Sequence, residues 1–173
     1  LNTMPHGAQT IVAIACYGGY NQEDSIIMNR AAIERGLFNS LFTRFYTSKQ
    51  QRYRSTNKIS ETFGVPPSSQ TIGLRRKKGE SNPYHAIQTE TGFPRQGTYV
   101  ADGDIIISKY ATMEQGQQKV YKDVSSTVRN NEEGEIDFVI PNERDQIQNE
   151  NADGYKFCKA RITQLRKPKI ADK

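Results

Sequence analysis

The 173-residue sequence predicts a β-rich fold of mixed α/β class. Short apolar runs, several with β-branched or alternating residues, recur between turn-forming residues, which is typical of strands. One stretch carries the start and stop signals of a helix. Hydrophobic residues make up only 35% of the chain, so we expect a loop-rich fold or an excised segment whose faces are covered by other parts of a larger protein.

The first predicted elements flank a glycine pair. A continuous run of small and β-branched residues at 10–17 predicts a strand covered on both faces, and Gly18-Gly19 ends it. The apolar run at 26–28 predicts a second short buried strand. Asn29 is then a suitable N-cap for a short helix to Arg35, with Gly36 as its left-handed terminator.

The middle of the chain alternates between strand and loop signals. Apolar and polar positions alternate from 41 to 46, which predicts a strand. Residues 64–98 are rich in proline and glycine, so we expect a mobile excursion outside the core that carries the basic block 75–78. Asp102-Gly103-Asp104 predicts a turn before a strand at 105–107. Ile136, Phe138 and Ile140 alternate with Asp137 and Val139, which predicts a further strand.

The last predicted strand divides its residues between two faces. One face carries Cys158, Ala160 and Ile162, and the other carries Lys159, Arg161 and Thr163. Two cations alone would suit a solvated strand edge. Residues 156–173, however, contain seven cations against one acid, within a chain of net charge +5, which favours contact with a polyanion.

Several classes of protein are excluded by what the sequence lacks. No apolar run approaches the length of a membrane span, and no signal peptide is visible. Cys16 and Cys158 lie far apart in apolar or alternating runs, so we expect two buried free thiols in a reducing compartment. His6 and His85 stand alone, without other ligands at metal-binding spacing, so a zinc site is not expected.

Glu23 and Asp24 form the most distinctive local feature. Adjacent acids in a turn are usually solvated surface. Here a predicted buried strand and two glycines precede them and an apolar run follows, so the pair would be held rigidly, as a metal or phosphate contact requires. Neighbouring side chains of an extended backbone point opposite ways, so one acid would reach a metal while the other binds its water or orients a neighbour. Mg²⁺ usually takes one or two protein carboxylates, with waters and substrate phosphates completing the shell.

Residues 19–26, Asn29 and residues 33–38 resemble the signature of the second-largest subunit of multisubunit DNA-directed RNA polymerases. Gln22, where bacterial β subunits usually have an aromatic residue, indicates the archaeal, eukaryotic or large-DNA-virus branch. Residues 156–157, 159–161 and 167–173 resemble a later stretch of the same subunit, and both matches occur in the family's order.

The resemblance implies a domain map. Residues 1–39 and 159–173 would belong to the hybrid-binding domain, which in the family contains a double-psi β-barrel, and only part of that barrel would be present here. Residues 40–158 would be the wall (the bacterial flap) inserted into that domain. The proline- and glycine-rich stretch and the acidic stretch both fall within this insertion.

The resemblance also implies site residues. Asp24 would contact the second, nucleotide-borne Mg²⁺, with Glu23 beside it, and the largest subunit would share that ion. Lys173 would lie near the nucleic acid and substrate phosphates, and another family lysine falls near Arg166 or Lys167. Ala171 stands where the family usually has glycine, which would strain the chain if that position has a positive φ. The implied phosphate- or nucleic-acid-binding residues are Lys159, Arg161, Arg166, Lys167, Lys169 and Lys173.

The implied activity is nucleotidyl transfer by a DNA-directed RNA polymerase. Partners would be the other polymerase subunits, the DNA template, the RNA–DNA hybrid and the NTP, with initiation factors on the wall. The sequence has no Asp-x-Asp-x-Asp cluster for the first metal, so this chain alone is expected to be inactive. The alternative is a non-catalytic wall scaffold that guides nucleic acid and docks transcription factors. Its compartment would be the nucleus in a eukaryote and the cytoplasm in an archaeon or a cytoplasmic virus.

Overall fold

The computed structural model describes residues 6–51, 61–69, 71–77, 79, 82–115, 118–142 and 156–172. Within these ranges the chain forms one short helix and ten strands, which confirms the β-rich fold. The elements are α1 Arg30–Glu34, β1 Ser40–Lys49, β2 Glu61–Phe63, β3 Thr71–Ile72, β4 Tyr99–Val100, β5 Ile105–Ile107, β6 Lys109–Gln115, β7 Gln118–Asp123, β8 Ser126–Thr127, β9 Gly134–Asn142 and β10 Phe157–Arg166.

The strands form three sheets. Their orders are β1-β10-β9-β4, β2-β6-β7-β3 and β5-β8. The chain divides into two compact units: Leu1–Phe42 with Leu165–Lys173, called here the first unit, and Thr43–Gln164, called the second unit. The assignment of 1–39 and 159–173 to a hybrid-binding domain and of 40–158 to a wall stays a prediction.

Two strands predicted in the first unit do not form. Residues 10–17 and 26–28 have no strand conformation, so both predictions are wrong. Ile11 and Ile14 are fully exposed, and Ile26 is largely exposed. The physical reason is that a strand needs a partner for its backbone N–H and C=O groups, and no described strand pairs with either segment.

The predicted helix and the strand after it are confirmed. The side chain of Asn29 accepts a hydrogen bond from the backbone N–H of Ala32 at 3.0 Å, and Arg35 is the C-cap. Gly36 has φ +108°, the left-handed region that ends the helix. The predicted strand at 41–46 lies within β1. No helix in the described ranges has the length and apolar character needed to cross a membrane.

The core of the second unit is organised by β10. Cys158, Ala160 and Ile162 are buried, as the alternation predicts, and they pack in one cluster with Val100 and Ile136. The predicted strands at 105–107 and around 136–140 are confirmed as β5 and β9.

The alternation in β9 breaks at Asp137. Arg161 pairs with Phe138 and Ile162 pairs with Ile136, so Asp137 is an extra residue in the ladder, a β-bulge. Ile136 is therefore fully buried, whereas Phe138 is 41% exposed on the opposite side of the sheet.

Part of the segment 64–98 packs into the core, so the expectation of a loop outside the core is wrong for residues 86–93. Ala86, Ile87 and Phe93 are buried, and the ring of Phe93 meets that of Phe63 edge-on with centroids 5.1 Å apart. The glycines and prolines build turns that return these apolar side chains to the core. In the basic block, Lys77 pairs with buried Asp104 at 2.9 Å, while Lys78 lies outside the described residues.

The turn at Asp102-Gly103-Asp104 is confirmed. Gly103 has φ +79°, and the backbone N–H of Asp104 donates to Ala101 O at 3.0 Å. Both cysteines are free, but only Cys158 is buried, and burial raises the pKa of its thiol to about 12. Cys16 is exposed because the strand expected to bury it does not form, so that part of the prediction is wrong.

Gly92 and Gly73 share one backbone conformation in different surroundings, so they form a matched pair. Both have φ +71°, but a Cβ at Gly92 would lie 2.2 Å from Gly64 N and 2.5 Å from Ser108 O, whereas one at Gly73 meets nothing within 4 Å. We expect Gly92→Ala to lower the free energy of unfolding by on the order of 3–5 kcal/mol and Gly73→Ala to lower it by about 1 kcal/mol. Urea unfolding followed by circular dichroism measures both. Equal losses would contradict the close approach at Gly92.

Ala171 has φ +72°, so the strain foreseen for this substitution of the family glycine is present. It lies in a turn in which the backbone N–H of Asp172 donates to Lys169 O at 3.1 Å. We expect Ala171→Gly to raise the free energy of unfolding of the first unit by about 1 kcal/mol. The control Ala13→Gly, exposed and without a positive φ, should be neutral or slightly destabilising. Thermal unfolding measures both, and destabilisation by Ala171→Gly would contradict the expectation.

Candidate functional site

Glu23 and Asp24 occupy the centre of a tight turn. The backbone N–H of Ser25 donates to Gln22 O at 3.1 Å and closes the turn. Glu23 has φ +56°, a left-handed conformation that side chains with a Cβ rarely adopt. The backbone is not extended here, so the expectation that the two acids point opposite ways loses its basis.

The side chain of Asn21 makes two hydrogen bonds that hold the backbone bend before the acid pair. Its amide oxygen accepts from the backbone N–H of Tyr17 at 3.1 Å, and its amide nitrogen donates to Ala15 O at 2.7 Å. Gly18 and Gly19 both have left-handed φ values, +68° and +74°, so the glycine pair bends the backbone as expected. The sequence did not identify Asn21 as the residue that holds this bend, although asparagine is a common turn former.

Both carboxylates of the pair are exposed. In the part of the chain that the structure describes, neither has a hydrogen-bond or ion-pair partner. Their oxygens therefore remain available to a ligand. No group of three or more His, Cys, Asp or Glu side chains among the described residues could hold a metal ion, so the described part of the chain offers two carboxylates at this turn. That donor set fits Mg²⁺, which takes carboxylate oxygens and needs few of them from protein.

The basic terminal segment of the first unit contains an internal ion pair. Arg166 donates to the carboxylate of Asp172, which also accepts from the backbone N–H of Lys169 at 2.8 Å. Lys167 and Lys169 are exposed, and neither ammonium has an ion-pair partner among the described residues. Lys173 lies outside the described residues. Arg166 is therefore the cation of this segment whose charge is already balanced.

The two cations predicted on β10 have different environments. Arg161 donates to Asp137 through Nε, at 2.9 and 3.0 Å, and through Nη2, at 2.6 Å. That pairing holds the pKa of the Asp137 carboxyl below its ordinary value. The Lys159 ammonium lies 4.4 Å from the centroid of the Phe45 ring and has no carboxylate partner in the described ranges. Of these two cations, only Lys159 lacks an acidic partner among the described residues.

The structure distributes the predicted residues between the two units. The first unit contains Glu23, Asp24, Arg166, Lys167 and Lys169, and the second unit contains Lys159 and Arg161. Within the described residues of the first unit, no hydrogen bond or ion pair joins the acid pair to Arg166, Lys167 or Lys169. The acid pair and the cations are therefore separate candidate features of one chain.

Other polar groups of the second unit are engaged in structural contacts. The ammonium of Lys109 lies 2.7 Å from Glu61 in a nearly buried ion pair and also donates to Lys49 O at 3.1 Å. The hydroxyl of Tyr84 donates to Asp123, and burial, together with that hydrogen bond, raises the pKa of Tyr84. These groups hold strands and loops together, and their hydrogen-bonding capacity is used within the fold.

Comparison with known proteins identifies the family. Residues 1–173 match the family described as "RNA polymerase Rpb2, domain 6". "DNA-directed RNA polymerase II subunit RPB2" of Schizosaccharomyces pombe is 41% identical over 98% of this chain, and "DNA-directed RNA polymerase II subunit 2" of Arabidopsis thaliana is 38% identical over 98%. "Probable DNA-directed RNA polymerase II subunit RPB2 homolog" of Invertebrate iridescent virus 3 is 35% identical over the whole chain.

The chain spans about 14% of the length of each of these relatives. The match in the archaeon Sulfolobus acidocaldarius, "DNA-directed RNA polymerase subunit Rpo2", is 33% identical over 99% of the chain. Eukaryotic, viral and archaeal relatives thus all align with nearly the whole chain. These lineages are the ones that Gln22 indicates. The chain belongs to the RNA polymerase Rpb2, domain 6 family.

Proposed function

We propose that this chain forms part of the active centre and of the RNA–DNA hybrid-binding surface of a DNA-directed RNA polymerase. The observation that carries the proposal is the exposed Glu23-Asp24 turn, which has no partner among the described residues and lies within a chain of this family. The left-handed Glu23 adds support, because backbone strain tends to be retained where function requires it.

Asp24 would hold the Mg²⁺ that arrives with the nucleotide, and Glu23 would bind its water or orient a neighbour. When bound, the ion supplies charge stabilisation to the triphosphate as pyrophosphate leaves. Asp24 would supply a carboxylate oxygen that fixes the position of this ion, and thereby the position of the triphosphate relative to the RNA 3′-oxygen. Because the described residues offer at most two carboxylates there, the remaining ligands of this ion would come from the largest subunit. The isolated chain is expected to be inactive because its sequence has no Asp-x-Asp-x-Asp cluster for the first metal.

The terminal cations would contact nucleic acid and substrate phosphates. Lys167 and Lys169 are exposed and have no ion-pair partner among the described residues, so their charge is available. Arg166, engaged by Asp172, would act by holding the terminal turn in position for Lys173. Preorganised cations of this kind stabilise the charge that develops on phosphate oxygens during transfer.

The division into units supports the family's domain map. The first unit would correspond to the hybrid-binding domain, including its part of a double-psi β-barrel, and the second unit to the inserted wall. The partners would be the largest subunit, the template DNA, the RNA–DNA hybrid and the NTP, and the compartment would be the nucleus or the cytoplasm according to lineage.

A non-catalytic wall scaffold is the second candidate. The second unit has its own core, centred on Ile106, Ile136 and Ile162, and contains none of the acid pair. Such a unit would guide nucleic acid or dock initiation factors independently of the chemistry in the first unit.

Asp24→Asn separates these two candidates in the assembled polymerase. It removes the charge while keeping the size of the side chain, so we expect elongation to fall on the order of 100-fold or more with assembly unchanged. Glu34→Gln is a matched control, because Glu34 is also an exposed acid of the first unit and its ion pair with Arg30 lies within one helical turn. Single-nucleotide addition assays measure the rate. Loss of assembly, or an equal effect of the control, would contradict the metal role.

Binding of an RNA–DNA duplex by the isolated chain tests the role of the cations. We expect weak, sequence-independent affinity, on the order of 10⁻⁴–10⁻⁶ M, that falls steeply with salt. Lys167→Gln with Lys169→Gln should lower the slope of log K against log[salt] by about 2, whereas Arg76→Gln, at an exposed cation of the second unit, should not change it. Fluorescence anisotropy at several salt concentrations measures the slope. An affinity that does not change with salt concentration would overturn the phosphate contacts.

A further inference from the structure

One face of the sheet formed by β1, β10 and β9 is open and combines aromatic and cationic side chains. We call it the open sheet face, and its members are Phe45, Phe138, Ile140, Lys159 and Arg161. Phe45 is 49% exposed and Phe138 is 41% exposed. Large apolar side chains grouped on an outer sheet face indicate contact with something else.

The β-bulge in β9 creates this face. The extra residue, Asp137, contacts Arg161, while Phe138 is the direct cross-strand partner of Arg161. The guanidinium lies 5.4 Å from the centroid of the Phe138 ring and 5.7 Å from that of Phe45. Three hydrogen bonds to Asp137 fix its plane, so the rings have a rigid cation beside them.

The charge on the open sheet face is positive beside Phe45. Asp137 balances Arg161, but Lys159 is unbalanced within the described ranges. Lys49 lies four positions beyond Phe45, hence on the same side of β1, and is exposed without an ion-pair partner among the described residues. Apart from Asp137, the described acid of β9 closest to this face in sequence is Glu135, which pairs with Thr163 and Tyr99 in the ladder.

Aromatic rings next to unbalanced cations on a flat surface match the chemistry of an unpaired polynucleotide. Bases stack on side-chain rings whatever their sequence, and phosphates contact the cations. Duplexes hide their base faces and cannot use the rings. An apolar side chain of a peptide would instead need a pocket that removes it from water. A flat sheet face with an unbalanced lysine therefore suits a peptide less well than a polynucleotide.

We propose that the open sheet face binds single-stranded nucleic acid, with bases stacked at Phe45 and Phe138 and phosphates at Lys159 and Lys49. All these residues belong to the second unit, so the site is independent of the role proposed for Asp24 in the first. It also differs from the duplex contacts proposed for the terminal cations. An RNA strand and an unpaired DNA strand share the chemistry that this face recognises.

Site-specific cross-linking tests the proposal in the assembled polymerase. The photoreactive amino acid p-benzoylphenylalanine replaces Phe45. Complexes are assembled on preformed scaffolds, so that they need no elongation, and carry a radiolabel in the RNA, in the template strand or in the non-template strand. The control position is Ile72, which is 54% exposed on β3 of another sheet. We expect position 45 to cross-link one of the labelled strands, whose identity the label reveals, and position 72 to give none. Cross-links to protein alone, no cross-link, or equal yields at both positions would overturn the proposal.

A second set of variants, each combined with the cross-linker at position 45, tests the stacking and the charge. Phe138→Ala should lower the nucleic-acid cross-link about tenfold, since stacking on an aromatic side chain contributes about that much per base. Lys159→Gln should lower the yield and make it less dependent on salt. Asp24→Asn should leave the cross-link unchanged even where elongation fails, so failure of the proposed catalysis and failure of this site are separate outcomes. Unchanged yields with Phe138→Ala and Lys159→Gln would contradict the site.

Discussion

The alternate burial of β10 is the constraint on which the second unit depends. Because Cys158, Ala160 and Ile162 pack into the core, Lys159 and Arg161 must face the other side of the sheet. The position of β10 between β1 and β9 then places Phe45 on one flank of these cations and Phe138 on the other. A one-residue slip in this strand would bury both cations and expose the core residues, so packing and surface chemistry are fixed together.

Local signals allowed much of the fold to be predicted. The N-cap at Asn29, the terminator Gly36 and the turn around Gly103 depend on residues within a few positions of one another, and all three were predicted correctly. The segments 10–17 and 26–28 have strand-like composition but no partner strand in the described part of the chain, and composition does not reveal pairing. The bulge at Asp137 was not predicted, because it depends on the register in which β9 pairs with β10.

The candidate site also combines features determined by nearby residues with features that depend on residues distant in the sequence. The bend at the glycine pair follows from nearby residues, and the sequence indicated it. The two buried strands expected to hold Glu23 and Asp24 rigidly do not form, and both acids are exposed. Arg161 and Asp137 lie 24 positions apart in the sequence. Their ion pair balances the charge of Arg161, one of the predicted phosphate-binding residues. No sequence pattern distinguishes Arg161 from Lys159, although the fold balances the charge of one and leaves the other available.

The exposed segment 10–17 has a consequence for work with the separate chain. Its backbone groups have no ladder partner among the described strands, and Ile11, Val12 and Ile14 lie open to solvent. β-branched residues with unpaired N–H and C=O groups are a template on which a second copy can assemble. Concentrated solutions of this polypeptide would therefore tend toward intermolecular sheets, and dilution or a charged substitution within the segment would counter that tendency.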